Sequence, residues 1–564
     1  MIGEIHDIVW GPWTPVLFLM VGTVYSVRIR FFQVRKIPCW WDATIGNLLR
    51  DRKNHRESFR SACTALAATI GTGNITGVAA AVIAGGPGAV FWMWVSAFLG
   101  MATAYGETVL GIRYREKGRD GGWIAGPMIY LEKRLGCPEA AVLYGFFCIP
   151  AAFGMGSMVQ ANAISETVSY VYGIPEAAVG MILVVLAGIV LAGGGRRIFL
   201  AAERLVPLSA GLYTAAALAV IILYAGNVPG VILGILVDAF SFRSAVGGVA
   251  GYGISRCVSY GIARGVFSNE AGLGSLAVLN GSAEMASEEL QGQWAIFEVF
   301  FDTIVSCTLT ALVILCVAGS GTASEFGAEN GASLTSLCFF TALGSPGGYA
   351  VAVCVVLFAF STIIAWYYMG RQAAEYLGGK ISGKIPAVYT VGYLLAAFFG
   401  CLGAMETVWE VSDIFNGLMA VPNLAALVLL VLLLLQCRKN GASAGQTDRL
   451  QRLLEQHLRT AQQEQLAQMQ AALSSMGDML ARHQQQVGES QTQLLTQTQQ
   501  GMMRQLQQFE QRLQSLEQNL GQRQEQLRSS VRMQLSEMQE GQNTSARAAQ
   551  ASLGIRQSPR GERV

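Results

Sequence analysis

The sequence predicts an all-α membrane protein of about eleven transmembrane helices, two of them broken at depth, followed by a helical tail. Three observations carry this. Of the 564 residues, 52% are hydrophobic and only 13% charged, a balance typical of membrane chains. The apolar residues are gathered into runs near or above the roughly 20 residues a helix needs to cross a bilayer. One run, ACTALAATIGTGNITGVAAAVIA at 62–84, has Gly71-Thr72-Gly73-Asn74 at its centre. Backbone released at that depth must be buried in protein or line a hydrated cavity. A helix broken near the midplane is how many secondary transporters build a substrate and ion site.

The spans lie at 13–30, 62–84, 88–112, 141–171, 177–193, 202–225, 229–262, 291–318, 347–375, 386–404 and 414–436. The seventh is interrupted by Gly247-Gly248-Val249-Ala250-Gly251-Tyr252-Gly253 and reads as two half-helices. Spans 2–6 and 7–11 then form two sets of five, each opening with a broken helix, the spacing expected of inverted repeats. Basic residues fix the orientation. The end of span 1 and the loop after it carry Arg28, Arg30, Arg35, Lys36, Arg50, Arg52 and Lys53; Arg113, Arg115, Lys117 and Arg119 follow span 3; Arg196 and Arg197 follow span 5; Arg264 follows span 7; Arg371, Lys380 and Lys384 lie at or beyond the end of span 9; Arg438 and Lys439 follow span 11. The alternate loops, including the long Gly319–Pro346 segment, lack Lys and Arg. This places the N-terminus outside and the C-terminus in the cytoplasm, in a multi-pass protein.

The mean hydropathy of +0.40 averages two unlike parts. Residues 1–440 read as a membrane domain and 441–564 as a Gln-rich tail. Leu466, Met469, Leu473, Met476 and Leu480 step by three and four, as do Leu506, Phe509, Leu513, Leu516 and Leu520. That spacing favours a cytoplasmic coiled coil able to form a homo-oligomer; the alternative is a largely disordered Gln-rich segment.

Composition also excludes. A net charge of +2 gives no electrostatic case for nucleic acid. Most of the eleven cysteines sit inside apolar runs, none forms a CxxC pair, and the four histidines match no metal-ligand spacing. No nucleophile–base set stands out, so no enzyme and no cofactor are expected. The start of the chain reads as lacking a cleaved signal peptide.

Several residues within spans can carry chemistry. The second half-helix after Gly71–Asn74 presents unpaired N–H groups to a carboxylate, and carbonyls near Ala67 and Ile70 can hold a cation. Close Gly-rich helix packing is the plain alternative. Gln160, after Gly154 and Gly156, can bond a ligand or a neighbouring helix. Ser361 and Thr362 can bond their own backbone or offer hard oxygens to a small cation. Trp366 is too deep for the interfacial belt, so it is packing or a pocket wall. Glu298 and Asp302 are ionisable residues within span 8, functional by default; Asp302 can neutralise a cation, take a proton or bond buried backbone. Glu107, near the inner end of span 3, is expected to pair with a basic loop residue.

Together GTGNITG, GGPGAVFWMWVSAFLGMATAYGE, GPMIYLEKRLG, ARGVFSNEAGLGS, GQWAIFEVFFDT and FAFSTIIAWYYMG, over residues 10–436, resemble the bacterial alanine or glycine:cation symporter family. The resemblance implies a leucine-transporter-like fold of ten core helices, preceded here by one extra, in the bacterial inner membrane. It implies uptake of small neutral amino acids coupled to Na+ or H+. Thr72, Gly73, Asn74, Gln160, Thr362 and Trp366 would contact substrate, with its ammonium on carbonyls near Gly248–Gly251. Ala67, Ile70, Ser361 and Thr362 would hold sodium; Asp302 joins the expected cation set on its own chemistry, as an ionisable residue within a span. The Ser268–Gly272 loop would lie on the cytoplasmic side. Val249 stands where members usually carry Phe, and Leu276-Ala277 where Ala-Pro is usual, which keeps a larger substrate such as glutamine open. A channel, or a sensor signalling through the tail, is the rival class.

Overall fold

The computed structural model describes residues 2–439 except 12, 119–121, 241–249, 284–286, 319–330, 381–384 and 404–405, and scattered positions from 500 to 536. It separates into two units, Met1–Asn440 and Gly441–Val564. In the second unit the described positions are helical and exposed, and the heptad positions named above lie outside the described residues.

The first unit is a helical membrane domain. Its main helices are α1 (Trp13–Arg28), α2 (Arg52–Thr69), α3 (Thr76–Gly85), α4 (Ala89–Tyr114), α5 (Pro138–Tyr172), α6 (Glu176–Leu191), α7 (Gly194–Leu223), α8 (Val228–Ala239), α9 (Ala250–Asn269), α10 (Ser275–Asn280), α11 (Glu288–Ala318), α12 (Gly331–Leu343), α13 (Ser345–Lys380), α14 (Ile385–Gly400) and α15 (Glu406–Lys439). Within the described residues, six are long and apolar enough to cross a membrane unbroken: α4, α5, α7, α11, α13 and α15. The pair Arg56–Thr69 and Thr72–Gly85 makes a seventh span, bent by 59°. The 16-residue helices α6 and α14 rise roughly 24 Å, short of the ~30 Å hydrocarbon layer, and need thinning or flanking turns to cross.

Helix lengths repeat. After the first broken span come α4 to α7 at 26, 35, 16 and 30 residues. Later come α11, α13, α14 and α15 at 31, 36, 16 and 34. With five spans per set, the second set enters from the opposite face, so the two are inverted relative to each other.

Of the glycine run Gly247–Gly253, positions 247–249 lie outside the described residues and 250–253 open α9; the break seen among the described residues lies further on. Small residues on α4 give its position, because they let backbones touch. A Cβ on Gly261 would lie 2.5 Å from the Ala89 carbonyl oxygen, and one on Gly265 2.9 Å from Ser96 Oγ. Further along, Gly100 faces Asn269 and Ala271, and Gly111 faces Ala277. So α9 and α10 run parallel to α4 as one interrupted helix. Their interruption, 270–274, sits beside the middle of α4. Glu270, Gly272 and Gly274 there have φ of 56°, 98° and 83°. The left-handed region breaks a helix, and two of the three positions are glycine, which enters it without strain. The helix expected as the outer half of span 7, α8, instead packs at the start of α4, where Asp238 accepts a hydrogen bond from the Gly88 amide at 2.8 Å.

The two broken helices lie antiparallel. Gly85, ending α3, meets Cys257 and Tyr260 of α9, while Ser61 of α2 donates to the Leu279 carbonyl of α10. Their interruptions therefore face each other.

Candidate functional site

The first interruption is stapled from within. Gly71 leaves the helix with extended φ/ψ of −128° and −154°, and Thr72–Asn74 form one 3-10 turn. The freed Gly71 amide donates to Asn74 Oδ1 at 3.1 Å. Asn74 Nδ2 donates to the Asp302 carbonyl at 3.1 Å and to Asp302 Oδ1 at 2.7 Å. Asp302 Oδ2 accepts from Ser268 Oγ and Thr303 Oγ1, both at 2.8 Å. One chain of bonds thus ties the first interruption, through α11, to the last turn of α9. Sequence reasoning gave Asn74 to substrate and Asp302 to a cation. Here both side chains are spent on protein partners, because an interruption buried in lipid must pair its own freed groups first.

Four predicted residues do converge. Thr72 Oγ1 donates to Gln160 Oε1 at 3.1 Å. Gln160 Nε2 donates to the Met155 carbonyl, in the π-helical stretch Ala152–Met158 of α5. Thr362 Oγ1 donates to the Ala67 carbonyl at 2.9 Å. A Cβ on Gly71 would lie 2.8 Å from Thr362 Oγ1 and 3.7 Å from Gln160 Oε1, so α2, α5 and α13 meet at this glycine. Ala67, Ile70, Ser361 and Thr362 are all buried. Both hydroxyls also reach the Phe358 carbonyl of their own helix, Ser361 Oγ at 2.8 Å and Thr362 Oγ1 at 3.0 Å. Of the expected cation set, Ala67 O and Thr362 Oγ1 are already side by side as hard, neutral, buried oxygens, the donor type a small monovalent cation takes.

Gly156 packs its backbone directly on the Trp366 side chain. Trp366 Nε1 donates to Glu270 Oε1 at 3.1 Å, so this tryptophan bridges α13 and the second interruption. A Cβ on Gly73 would lie 3.6 Å from the Phe267 ring, which stacks on Trp409 at 6.0 Å and 25°. Arg264 lies over Phe267 at 5.4 Å and 4.0 Å from Asp413. Arg264, expected in a basic loop, is therefore within α9. Ser268–Gly272, expected at the cytoplasmic end, lies level with Gly73–Asn74. Gly248 lies outside the described residues. Gly251 is in the first turn of α9, roughly 27 Å along the axis from the interruption, and does not share the site with Thr72.

Sequence reasoning put Glu270 in a cytoplasmic loop and missed Phe267, Trp409 and Thr335, whose hydroxyl donates to the Ile75 carbonyl just after the first interruption. The signal present was the Gly272-x-Gly274 pair ending a long apolar helix. Glu107 is buried, and among the described residues it pairs with no basic loop residue: Asn423 Nδ2 donates to Glu107 and to the Gly272 carbonyl, and Tyr130 donates to Asn423. Glu298 accepts from Asn280 at 2.8 Å and anchors the end of α10.

Beyond Trp366, a cavity of about 700 Å³ is lined by Arg60, Ser61, Trp123, Arg196, Phe199 and Tyr368, among others. It lies at the face bearing the basic loops. Beside it Arg56 and Arg60 of α2 clasp Glu203 of α7, at 2.8 and 2.6 Å.

The sequence profile described as the sodium:alanine symporter family matches residues 1–450. The chain belongs to that family. It is 39% identical to an uncharacterized transporter of Haemophilus influenzae, over 76% of this chain and 92% of that one. It is 38% identical to the sodium/alanine symporter AgcS of Methanococcus maripaludis, over 76% and 94%. It is 34% identical to the probable sodium/glutamine symporter GlnT of Bacillus subtilis, over 76% and 88%. As a sodium:alanine symporter family member the protein is a multi-pass, sodium-coupled amino-acid symporter and not an enzyme.

Proposed function

We propose that the protein takes up a small neutral amino acid, alanine or glycine, with sodium. The observation that carries this is the convergence of Thr72, Gln160, Thr362 and Trp366 where two helix interruptions face each other. The substrate carboxylate meets the amides near Thr72–Gly73, and the helix dipole of α3 favours it there. Its ammonium meets the Ala271 carbonyl in the second interruption, not carbonyls at Gly248–Gly251. Trp366 and Phe267 wall the side-chain space, and the Thr72–Gln160 bond already fills part of it, which favours the smallest side chains. Sodium sits on Ala67 O and Thr362 Oγ1, with Ile70 O and a reoriented Ser361 completing the set.

The basic loops put the 700 Å³ cavity on the cytoplasmic side. Phe267, Trp409 and the Arg264–Asp413 pair then close the outer side, so this arrangement faces inward. One charge crossing ~100 mV yields about 2.3 kcal/mol. A tenfold sodium gradient adds about 1.4 kcal/mol. Together they sustain a substrate ratio of several hundredfold, on the order of 500.

The test is labelled-alanine uptake into proteoliposomes holding the full chain. An inward sodium gradient is expected to drive accumulation, with glycine competing better than glutamine. Uptake equal to that of empty vesicles, with or without sodium, contradicts the proposal. Competition in the order glutamine before glycine contradicts the small-substrate reading.

A further inference from the structure

The aromatic closure beside Gly73 runs between two helices, and a third element reaches it. From α9 come Arg264 and Phe267; from α15 come Trp409 and, one turn on, Asp413. Asp413 is also met by the start of the chain. The short helix Ile2–Val9 brings His6 Nε2 to 3.7 Å from Asp413 Oδ2, the oxygen that Arg264 addresses at 4.0 Å. Trp10 Nε1 donates to the Asp413 carbonyl at 2.8 Å. Gly417, one turn further along α15, makes room for this approach. A Cβ there would run into Val9 and lie 3.1 Å from Trp10 Nε1.

The same arm continues inward. The Thr14 hydroxyl donates to the Val9 carbonyl, which fixes the turn between the short helix and α1. Trp10 stacks on Phe18, with ring centroids 6.3 Å apart and planes within 1°. Phe18 is buried and packs on the second interruption, where a Cβ on Gly272 would run into its ring. Beyond Phe18, α1 is seated on α4. A Cβ on Gly22 would lie 2.8 Å from Leu99 Cβ, and the Tyr25 ring lies against the Gly106 backbone. One run of contacts therefore leads from Asp413 through Trp10 and Phe18 to Gly272, on a base fixed to α4. Since α9 lies along α4, parting α9 from α15 pulls on the arm at both ends.

We propose that this N-terminal arm is a working part of the outer closure. His6 and Trp10 are positioning residues: they hold Asp413 and, through it, hold Trp409 over the pocket. Phe18 ties that closure to the second interruption, because it occupies the space Gly272 needs in order to move. The proposal rests on the reading that Phe267 and Trp409 close the outer side. A contact made in only one of two states shifts their balance by its own worth. With the outer side closed, the Trp10 N–H has the Asp413 carbonyl; when α15 swings away, it has water. One such hydrogen bond favours the closed state about fivefold. Substrate outside then meets correspondingly fewer open carriers.

The test reads opening without substrate. A Cβ on Gly73 would lie 3.6 Å from the Phe267 ring, an ordinary contact, so Gly73→Cys sets a thiol beneath the closure. The full chain carrying it, in right-side-out membrane vesicles, meets a membrane-impermeant thiol reagent, and mass spectrometry of the peptide reads labelling at position 73. A second thiol, Ser282→Cys in the cavity wall, is read in inverted vesicles. Trp10→Phe keeps the ring stack and loses only the N–H; labelling at position 73 is expected to run about fivefold faster. Gly417→Ala suits a helix and pushes the arm off α15 from the other side, with a rise in the same direction expected. Combined, the two are expected to give less than the product of their separate effects, because both act on one contact. Labelling at position 282 is expected to hold or fall. An unchanged rate at position 73 in Trp10→Phe, separate effects that multiply, or a rise at both thiols (a loosened fold) each overturns the proposal. Faster labelling at position 73 in Trp10→Phe, in a chain that takes up no alanine, would sink the substrate reading and leave the arm assignment supported.

Discussion

At the residue scale, the site divides into groups that hold the backbone open and groups left to meet a ligand. Thr362 belongs to the second kind. Its hydroxyl reaches across from α13 to the Ala67 carbonyl, and Gly71 keeps the space clear for it. Thr362→Val keeps the shape and removes one oxygen from the cation set. The sodium concentration for half-maximal uptake is expected to rise about tenfold, some 1.4 kcal/mol. An unchanged sodium dependence in proteoliposomes would remove Thr362 from the cation site. Thr72, Gln160, Thr362 and Trp366 were legible in the sequence because each is polar, or an aromatic too deep for the interface, within an apolar span. Phe267 and Trp409 were not, since an aromatic in an apolar helix looks like any packing residue until its partner is known. Glu270 was hidden by its place: it seemed to follow a span and so to be solvated, when the helix in fact resumes at Ser275.

At the scale of the element, the two interruptions were found with unequal success. Gly71–Asn74 was legible because the glycines are accompanied by a polar amide with a task, bonding Gly71 N and Asp302. The denser glycine run at 247–253 drew the second assignment, but glycine count alone does not separate a break from close helix packing. What breaks the second helix is positive φ at Glu270, Gly272 and Gly274, with the Gly272 carbonyl caught by Asn423 and the Leu273 carbonyl by Tyr144. The stapling role changes what Asn74→Ala should do. It leaves the Gly71 amide and Asp302 short of buried partners, each costing about 1–3 kcal/mol. We expect loss of alanine binding together with a clearly lowered melting temperature in detergent. A wild-type melting temperature with binding abolished would return Asn74 to direct substrate contact.

At the scale of the whole molecule, the order of spans was readable because lipid imposes length and basic loops impose sidedness. The span boundaries at 88–112, 141–171 and 386–404 fall within a few residues of α4, α5 and α14. The cavity beyond Trp366 and the Phe267–Trp409 stack were not readable, since they depend on which conformer of a two-sided machine is adopted. Nor was α12 anticipated in the long loop before span 9, although Thr335 on it supports the first interruption. On the proposed function, residues 71–74 and 267–274 enclose one chamber. A cryo-electron-microscopy structure of the full chain with alanine and sodium tests it most directly. Alanine density bounded by Thr72, Gln160, Phe267 and Trp366, with a cation density touching Ala67 O and Thr362 Oγ1, is expected. Alanine density at Gly247–Gly251, with 71–74 and 267–274 in direct contact and nothing between them, would contradict it.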